Sequence, residues 1–191
     1  MTAENDGAQS KMTFERYDAN RPLAGQALSQ ALALLEEAFP EEERRETAAQ
    51  RALLESGSLT ALAARDAQGN LTALMTLWPL SRGLFLEHFA VDAAARGKGL
   101  GGDMLEALKA RAEGRLVLEA EPPVSDWAVR RLAFYARHGL TAHEYPYSQP
   151  PYRPGGRYVP LRLLSCPPFA SREDFEQTAD EIYRTVYGRM R

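Results

Sequence analysis

The 191-residue chain contains a single cysteine, Cys166. One thiol excludes an intramolecular disulfide and a cysteine-rich zinc site, and no metal is expected. Long apolar runs are missing too: none approaches the roughly 20 residues that span a bilayer. The opening residues, MTAENDGAQSKM, lack the basic-then-apolar order of a secretory signal, so a cytoplasmic protein without membrane contact is the expectation. Nor is there an excess of one charge. Lys and Arg number 23 against 26 Asp and Glu, a formal net charge of −3, so no overall field draws the chain to nucleic acid. Any anion binding must be local. There is no internal repeat and no dividing linker, and the hydrophobic content of 45% suffices for one domain with a substantial core.

What is present reads in order along the chain. Residues 1–11 are polar and read as a disordered tail, leaving 12–191 as one domain. MTFERYDA predicts a first strand. QALSQALALLEEAF has helical spacing, with Leu28, Leu32, Leu35 and Phe39 on one stripe and Pro40 as its stop. PEEERRETAAQRALLESG predicts a second helix ending at Gly57, its EEERRE run forming a solvated face. LTALAARDAQGNLTALMTLWPL predicts a hairpin, Leu59 to Arg65 and Leu71 to Leu77, turning on Gly69 and Asn70 at positive φ. GLFLEHFAV follows as a third meander strand. A glycine-rich loop then opens the helix GGDMLEALKARAEG, closed by Gly114. RLVLEAE is the next strand, and SDWAVRRLAFYARHGL a helix capped by Ser125 or Asp126, with Gly139 past its last turn. Beyond it, TAHEYPYSQPPYRPGGRYVPLRLLS mixes short strands with prolines and tyrosines. SREDFEQTADEIYRTVYGRM closes the chain as an amphipathic helix, with Ser171 as cap and Phe175, Ala179, Ile182 and Val186 on one face. The order predicts a mixed α/β (α+β) domain.

The chemistry concentrates in FAVDAAARGKGLGGDMLEALKARAEG, residues 89–114. GKGLGG is a literal G-x-G-x-x-G, but a dinucleotide fingerprint needs the first glycine directly after the first strand of a parallel sheet. Here DAAAR intervenes and the preceding strands form a meander, although Glu119 lies near the distance expected of the ribose-binding acid. No Lys-Ser or Lys-Thr follows a G-x-x-x-x-G, which excludes a Walker A loop. The other register, R-x-x-G-x-G from Arg96 to Gly101, describes the site better. A strand runs into a loop whose glycines cannot block close approach of a ligand. The loop opens a helix with unpaired N–H groups, and Arg96 and Lys98 add cations. That is a diphosphate seat in an acidic protein.

This segment resembles the acyl-coenzyme A motif of the GNAT acetyltransferase superfamily, and RRLAFYARHGL resembles the motif that follows it in that family, on the helix after the fifth strand. The likeness covers residues 84–141. It implies a mixed, mostly antiparallel sheet of six to seven strands flanked by helices, with the fourth and fifth strands splayed apart. It also implies an acyl-CoA-dependent N-acyltransferase that uses acetyl-CoA as cosubstrate. On the resemblance, the backbone of Phe89, Ala90 and Val91 pairs with the pantetheine arm. Arg96, Gly97, Lys98, Gly99, Leu100, Gly101 and Gly102 hold the pyrophosphate. Where the family often has an asparagine at the start of the second helix, this chain reads PPVSDWAVRR, so Ser125 or Asp126 stands in.

Acetyl transfer moves two protons, one from the amine and one to the leaving thiolate. Tyr135 occupies the family's usual acid position. For the base, the resemblance points first to Glu119, which matches the base of enzymes like the ribosomal-protein alanine acetyltransferases. Glu87 comes second, and deprotonation through water is the alternative. Strand alternation places Glu119 and Glu121 on one face and sets Glu87 opposite His88. His88 and His138 read as structural. The acceptor, a small-molecule or peptide amine, should lie between the first two helices and the segment after residue 141. There YPYSQPPYRPGG offers a rigid aromatic wall or a loop that closes the sheet, and resembles segments of bacterial members of the superfamily. The C-terminal helix is expected to pack within the chain, with a homodimer contact as the alternative. Two rival functions remain at this point: a GNAT-fold module that binds acyl-CoA without catalysis, and a nucleotide-dependent oxidoreductase.

Overall fold

The computed structural model describes residues 14–191, so the tail expected at residues 1–11 lies outside the described residues. Eight strands form one twisted sheet in the order β1-β2-β3-β4-β5-β8-β6, with β7 paired on β8. The strands are β1 (Phe14–Tyr17), β2 (Thr60–Arg65), β3 (Leu71–Leu80), β4 (Gly83–Val91), β5 (Arg115–Ala120), β6 (Thr141–Ala142), β7 (Tyr147–Gln149) and β8 (Val159–Cys166). The helices are α1 (Gly25–Ala38), α2 (Thr47–Ser56), α3 (Leu100–Lys109), α4 (Asp126–Arg137) and α5 (Arg172–Tyr187). Every strand pair is antiparallel except β4 with β5. The sheet exceeds the expected six to seven strands because the three-residue β7 attaches to β8.

Helices α3 and α4 cover one face of the sheet, where Leu100, Met104, Leu105, Leu108 and Tyr135 meet Leu86, Leu116 and Leu118. The other face is shared. Helix α1 packs over β1 to β3 through Leu28, Ala31, Leu32 and Leu35, and α5 packs Phe175, Ala179, Ile182 and Val186 against Phe85, Val117 and Leu163. The stripe expected for α5 is thus wholly buried within the chain.

Four local expectations are corrected. The charged run does not continue one helix. Glu41–Glu43 form a short 3-10 turn, Arg44 is extended at φ −142°, and α2 starts only at Thr47. The break lets Arg45 turn inward, so EEERRE is not a solvated helix face. In the hairpin turn, Gly69 has φ +84° but no non-glycine residue is at positive φ. Asn70 is held instead by Asp66, which accepts from its backbone N–H at 2.8 Å. Gly114 does not close α3, which ends at Lys109 with Ala110 as its cap. Gly114 sits where a Cβ would lie 2.5 Å from the Arg82 carbonyl, allowing the chain to pass into β5. Finally, alternation along β4 is interrupted. Thr76 pairs with His88 but Leu77 with Leu86, which leaves Glu87 as the extra residue of a β-bulge. Leu84 and Leu86 face α3 before the bulge, Phe89 and Val91 after it. Glu87 and His88 therefore share a face, on which their side chains approach to 3.5 Å.

Candidate active site

The bulge opens the site. Strands β4 and β5 run parallel from Gly83↔Arg115 to Leu86↔Leu118, and there the pairing stops. Beyond that point β4 stays with β3 through Val91, and β5 stays with β8 through Ala120. A bulge bends and over-twists its strand, so the two arms diverge. Residues 87–91 are left without a strand partner on one edge, which Phe89, Ala90 and Val91 line, the Val91 carbonyl being taken up by Arg96.

That edge leads into the glycine loop. Asp92 caps a short turn by accepting from the Ala94 N–H at 2.9 Å. Arg96 folds back so that its Nε donates to the Val91 carbonyl at 2.9 Å. Gly97 and Gly99 have φ of +75° and +85°, a region costly for residues bearing a Cβ. The first N–H of α3 to find a partner is that of Asp103, which donates to Gly99 at 3.1 Å. The amides of Gly97, Lys98, Gly99, Leu100, Gly101 and Gly102 donate to no group among the described residues. Six free N–H groups at a helix N-terminus, beside Lys98 and Arg96, form a strong anion seat. Ser125, proposed for the pantetheine, is the N-cap of α4, where its Oγ accepts from Ala128 N–H at 3.1 Å.

The β4 arm carries a fully satisfied carboxylate. The Glu87 side chain is 0% exposed and paired with Arg45. It also accepts from Trp78 Nε1 at 2.9 Å and from the Tyr152 hydroxyl at 3.0 Å. Burial alone would raise its carboxyl, but the Arg45 guanidinium holds it at about 2. Arg45 in turn donates to the Val186 carbonyl at 2.7 Å and lies over the rings of Tyr152 and Trp78 at 4.7 and 5.3 Å. His88 is structural, bound between Thr76 at 3.1 Å and the Glu43 carbonyl at 3.3 Å.

The β5 arm is different. Glu119 accepts from the hydroxyl of Tyr147 on β7 and from that of Tyr187 at the end of α5, 2.8 and 3.1 Å from its two oxygens. No cation meets it. Burial pushes its carboxyl up to about 7, against the lowering pull of the two hydroxyls, with Glu87 and Glu43 adding repulsion. Glu121 lies past the end of β5 and pairs with Arg131 of α4 at 3.1 Å.

Tyr135 approaches from the other side. It is buried in the α3–α4 cluster with Leu118 and Ala120, its hydroxyl bonds to no group among the described residues, and burial pushes it up to about 12. Tyr135 and Glu119 therefore sit on opposite faces of the sheet. His138 packs on Phe134 and reaches Glu106 at 2.7 Å. An open pocket of about 300 Å³ lies beside the cleft, lined by Arg45, Glu46, Ala49, Tyr152, Arg153, Pro154, Val186 and Tyr187.

The family model for the Acetyltransferase (GNAT) family matches residues 28–140, more than half the chain. The chain belongs to the GNAT acetyltransferase family. A protein from Bacteroides thetaiotaomicron described as a GNAT-family acetyltransferase shares 30% identity and a TM-score of 0.80, over 93% of this chain and 99% of its own. Two more distant structures share the fold. One is a GNAT acetyltransferase from Elizabethkingia anophelis with acetyl-CoA bound, at 18% identity and TM-score 0.55, covering 82% of this chain and 98% of its own. The other is the ribosomal-protein-S18-alanine N-acetyltransferase of Escherichia coli, at 16% and 0.54, covering 80% and 92%. A search of proteins with curated descriptions gave no match. GNAT membership makes acyl-CoA-dependent N-acyl transfer the general activity and removes the oxidoreductase reading.

Sequence reasoning did not find Arg45, Trp78 or Tyr187. Tyr147 and Tyr152 were visible only as part of an aromatic wall, whose other tyrosine, Tyr145, is exposed at 37%. A buried Arg inside an acidic run carries no local signal that distinguishes it from its solvated neighbours.

Proposed function

We propose that the protein transfers an acetyl group from acetyl-CoA to a primary amine by direct attack in a ternary complex. The observation that carries this reading is the strand edge left open at 87–91, which leads through the short turn at 92–96 to the six free amides at 97–102. A buried phenol flanks it on one face and a near-neutral carboxyl on the other. Bound there, acetyl-CoA supplies an activated acyl thioester. Arg96, Lys98 and the amides of Gly97–Gly102 hold the pyrophosphate, while Phe89, Ala90 and Val91 offer backbone partners to the pantetheine arm. Ser125 retains a hydroxyl proton that can be donated beside it.

Glu119 accepts the proton of the incoming amine. A carboxyl near 7 is half ionised at neutral pH and strong enough to compete for that proton, which suits a general base. Tyr135 donates a proton to the departing thiolate, and a phenol pushed up to about 12 stays protonated for the task. Glu87, locked to Arg45, holds the β4 arm and is not the base. The pocket lined by Tyr152, Tyr187, Ala49 and Arg153 receives the small-molecule or peptide acceptor, since it adjoins both α2 and the segment before β8.

Free-thiol release from acetyl-CoA over an amine panel tests the activity. Coenzyme A protecting the fold against heat while no amine releases thiol would point to a binding module instead. Tyr135→Phe should slow turnover about 100-fold with coenzyme A affinity retained; an undiminished rate at saturating acceptor would remove the acid assignment.

A further inference from the structure

The Glu119 carboxylate is held by hydroxyls from two elements far apart in sequence, one on a three-residue strand and one in the last turn of a helix. We propose that Tyr147 and Tyr187 are positioning residues, a clamp that fixes the Glu119 carboxylate at the cleft and sets the pH at which the site becomes competent. The proposal rests on the assignment of Glu119 as base.

The clamp is braced from every side. Strand β7 is anchored on β8 through Tyr147↔Leu161, Ser148↔Pro160 and Gln149↔Val159. The Tyr183 hydroxyl donates to the Ser148 carbonyl, fastening α5 to the strand that carries Tyr147. The rings of Tyr147 and Tyr183 meet edge to face at 5.9 Å, and those of Tyr152 and Tyr187 lie 5.1 Å apart. Tyr152 is itself tied to β4 through Glu87. Neither clamping ring can swing away without disturbing a second element.

The charged and titratable groups around Glu119 give the clamp its effect. Glu87 on β4 and Glu43 in the 3-10 turn repel a second negative charge, and Arg45 is spent on Glu87. Tyr152 and Tyr183 complete the surroundings. The two hydroxyls are therefore the only groups among the described residues that directly stabilise the ionised form. Burial and the carboxylate push both phenols well above their ordinary range, so they remain donors across the neutral region. Removing one donor leaves the carboxylate less stable and its proton harder to lose. The remaining hydroxyl still holds the carboxylate in place, and the group is competent only at higher pH.

The test uses Tyr187→Phe and Tyr147→Phe separately, since they lie on different elements, in the full chain. The acid limb of kcat/KM should move from a midpoint near neutrality to one about a pH unit higher, with the alkaline plateau retained; at pH 7 that is a loss of about fivefold. An infrared titration without substrate, with Glu119→Gln subtracted to assign the band, should show the same displacement of the protonated-carboxyl signal. A lower plateau with unmoved midpoints in both measurements means the tyrosines only pack, and overturns the clamp. The two readings fail differently. Glu119→Gln at the wild-type rate overturns the base assignment and the clamp with it. An inactive Glu119→Gln beside unshifted tyrosine variants overturns the clamp alone.

Discussion

The two arms of the cleft each carry one glutamate side chain screened from water, and the molecule treats them oppositely. On β4, Glu87 faces a guanidinium and is held at about 2; on β5, Glu119 faces phenols and other carboxylates and is pushed up to about 7. Both accept from a tyrosine hydroxyl, so hydrogen bonding alone does not separate them. A neutral donor offsets part of the cost of burying a carboxylate, whereas a full opposite charge reverses it. The bulge matters here as well. By inserting Glu87 as an extra residue, it turns that side chain onto the face from which Arg45 arrives.

The comparison breaks most sharply if the arms are neutralised one at a time. Glu119→Gln should lower kcat/KM about 1,000-fold and leave coenzyme A binding unchanged, while Glu87→Gln should act on stability more than on rate. A slower Glu87→Gln enzyme would reverse the two roles. Arg45→Met strands a buried carboxylate and should cost about 3–5 kcal/mol above pH 5, measured by chemical denaturation; a loss under 1 kcal/mol would mean that the ion pair is not what stabilises the β4 arm.

The pH dependence of stability separates the arms by sign. The carboxyl of Glu87 is lowered by folding, so its contribution is present above about 4.5 and is lost as pH falls toward 2. That of Glu119 is raised, so its contribution is present below about 4.5 and is lost as pH rises through 7. Each swing is about 3 kcal/mol. Glu119→Gln should therefore flatten the decline between pH 5 and 8 in urea midpoints, and an unchanged slope would count against its raised carboxyl. The smallest effect belongs to the seat. Gly99→Ala meets no atom within 4 Å but must adopt φ +85°, a strain of about 1 kcal/mol. Coenzyme A should bind about fivefold more weakly, with the acid limb of the rate profile unmoved.

Much of the fold was legible because its signals are local. Leu28, Leu32 and Leu35 repeat at helical spacing, Ser171 caps α5, and the glycine loop carries its chemistry in six consecutive residues. The splay of β4 and β5 came from a resemblance carried by those motifs. Partners far apart in sequence were not legible. Arg45 and Glu87 are separated by 42 residues, Tyr187 and Glu119 by 68, and neither pair leaves a periodic trace. The bulge was hidden for another reason: GLFLEHFAV alternates plausibly as a regular strand, and the slip is visible only against the register of β3.

The sheet order itself has a temporal side. Strand β8 lies between β5 and β6, so β6, although made earlier by the ribosome, has no docking edge until β8 is in place. The clamp comes later still, because Tyr187 lies in the last turn of α5. The glycine loop, by contrast, joins β4 to α3, neighbours along the chain. Long-range pairings of this kind form more slowly than local ones. A chain in the course of synthesis thus carries the loop proposed to hold the donor well before it carries Tyr187.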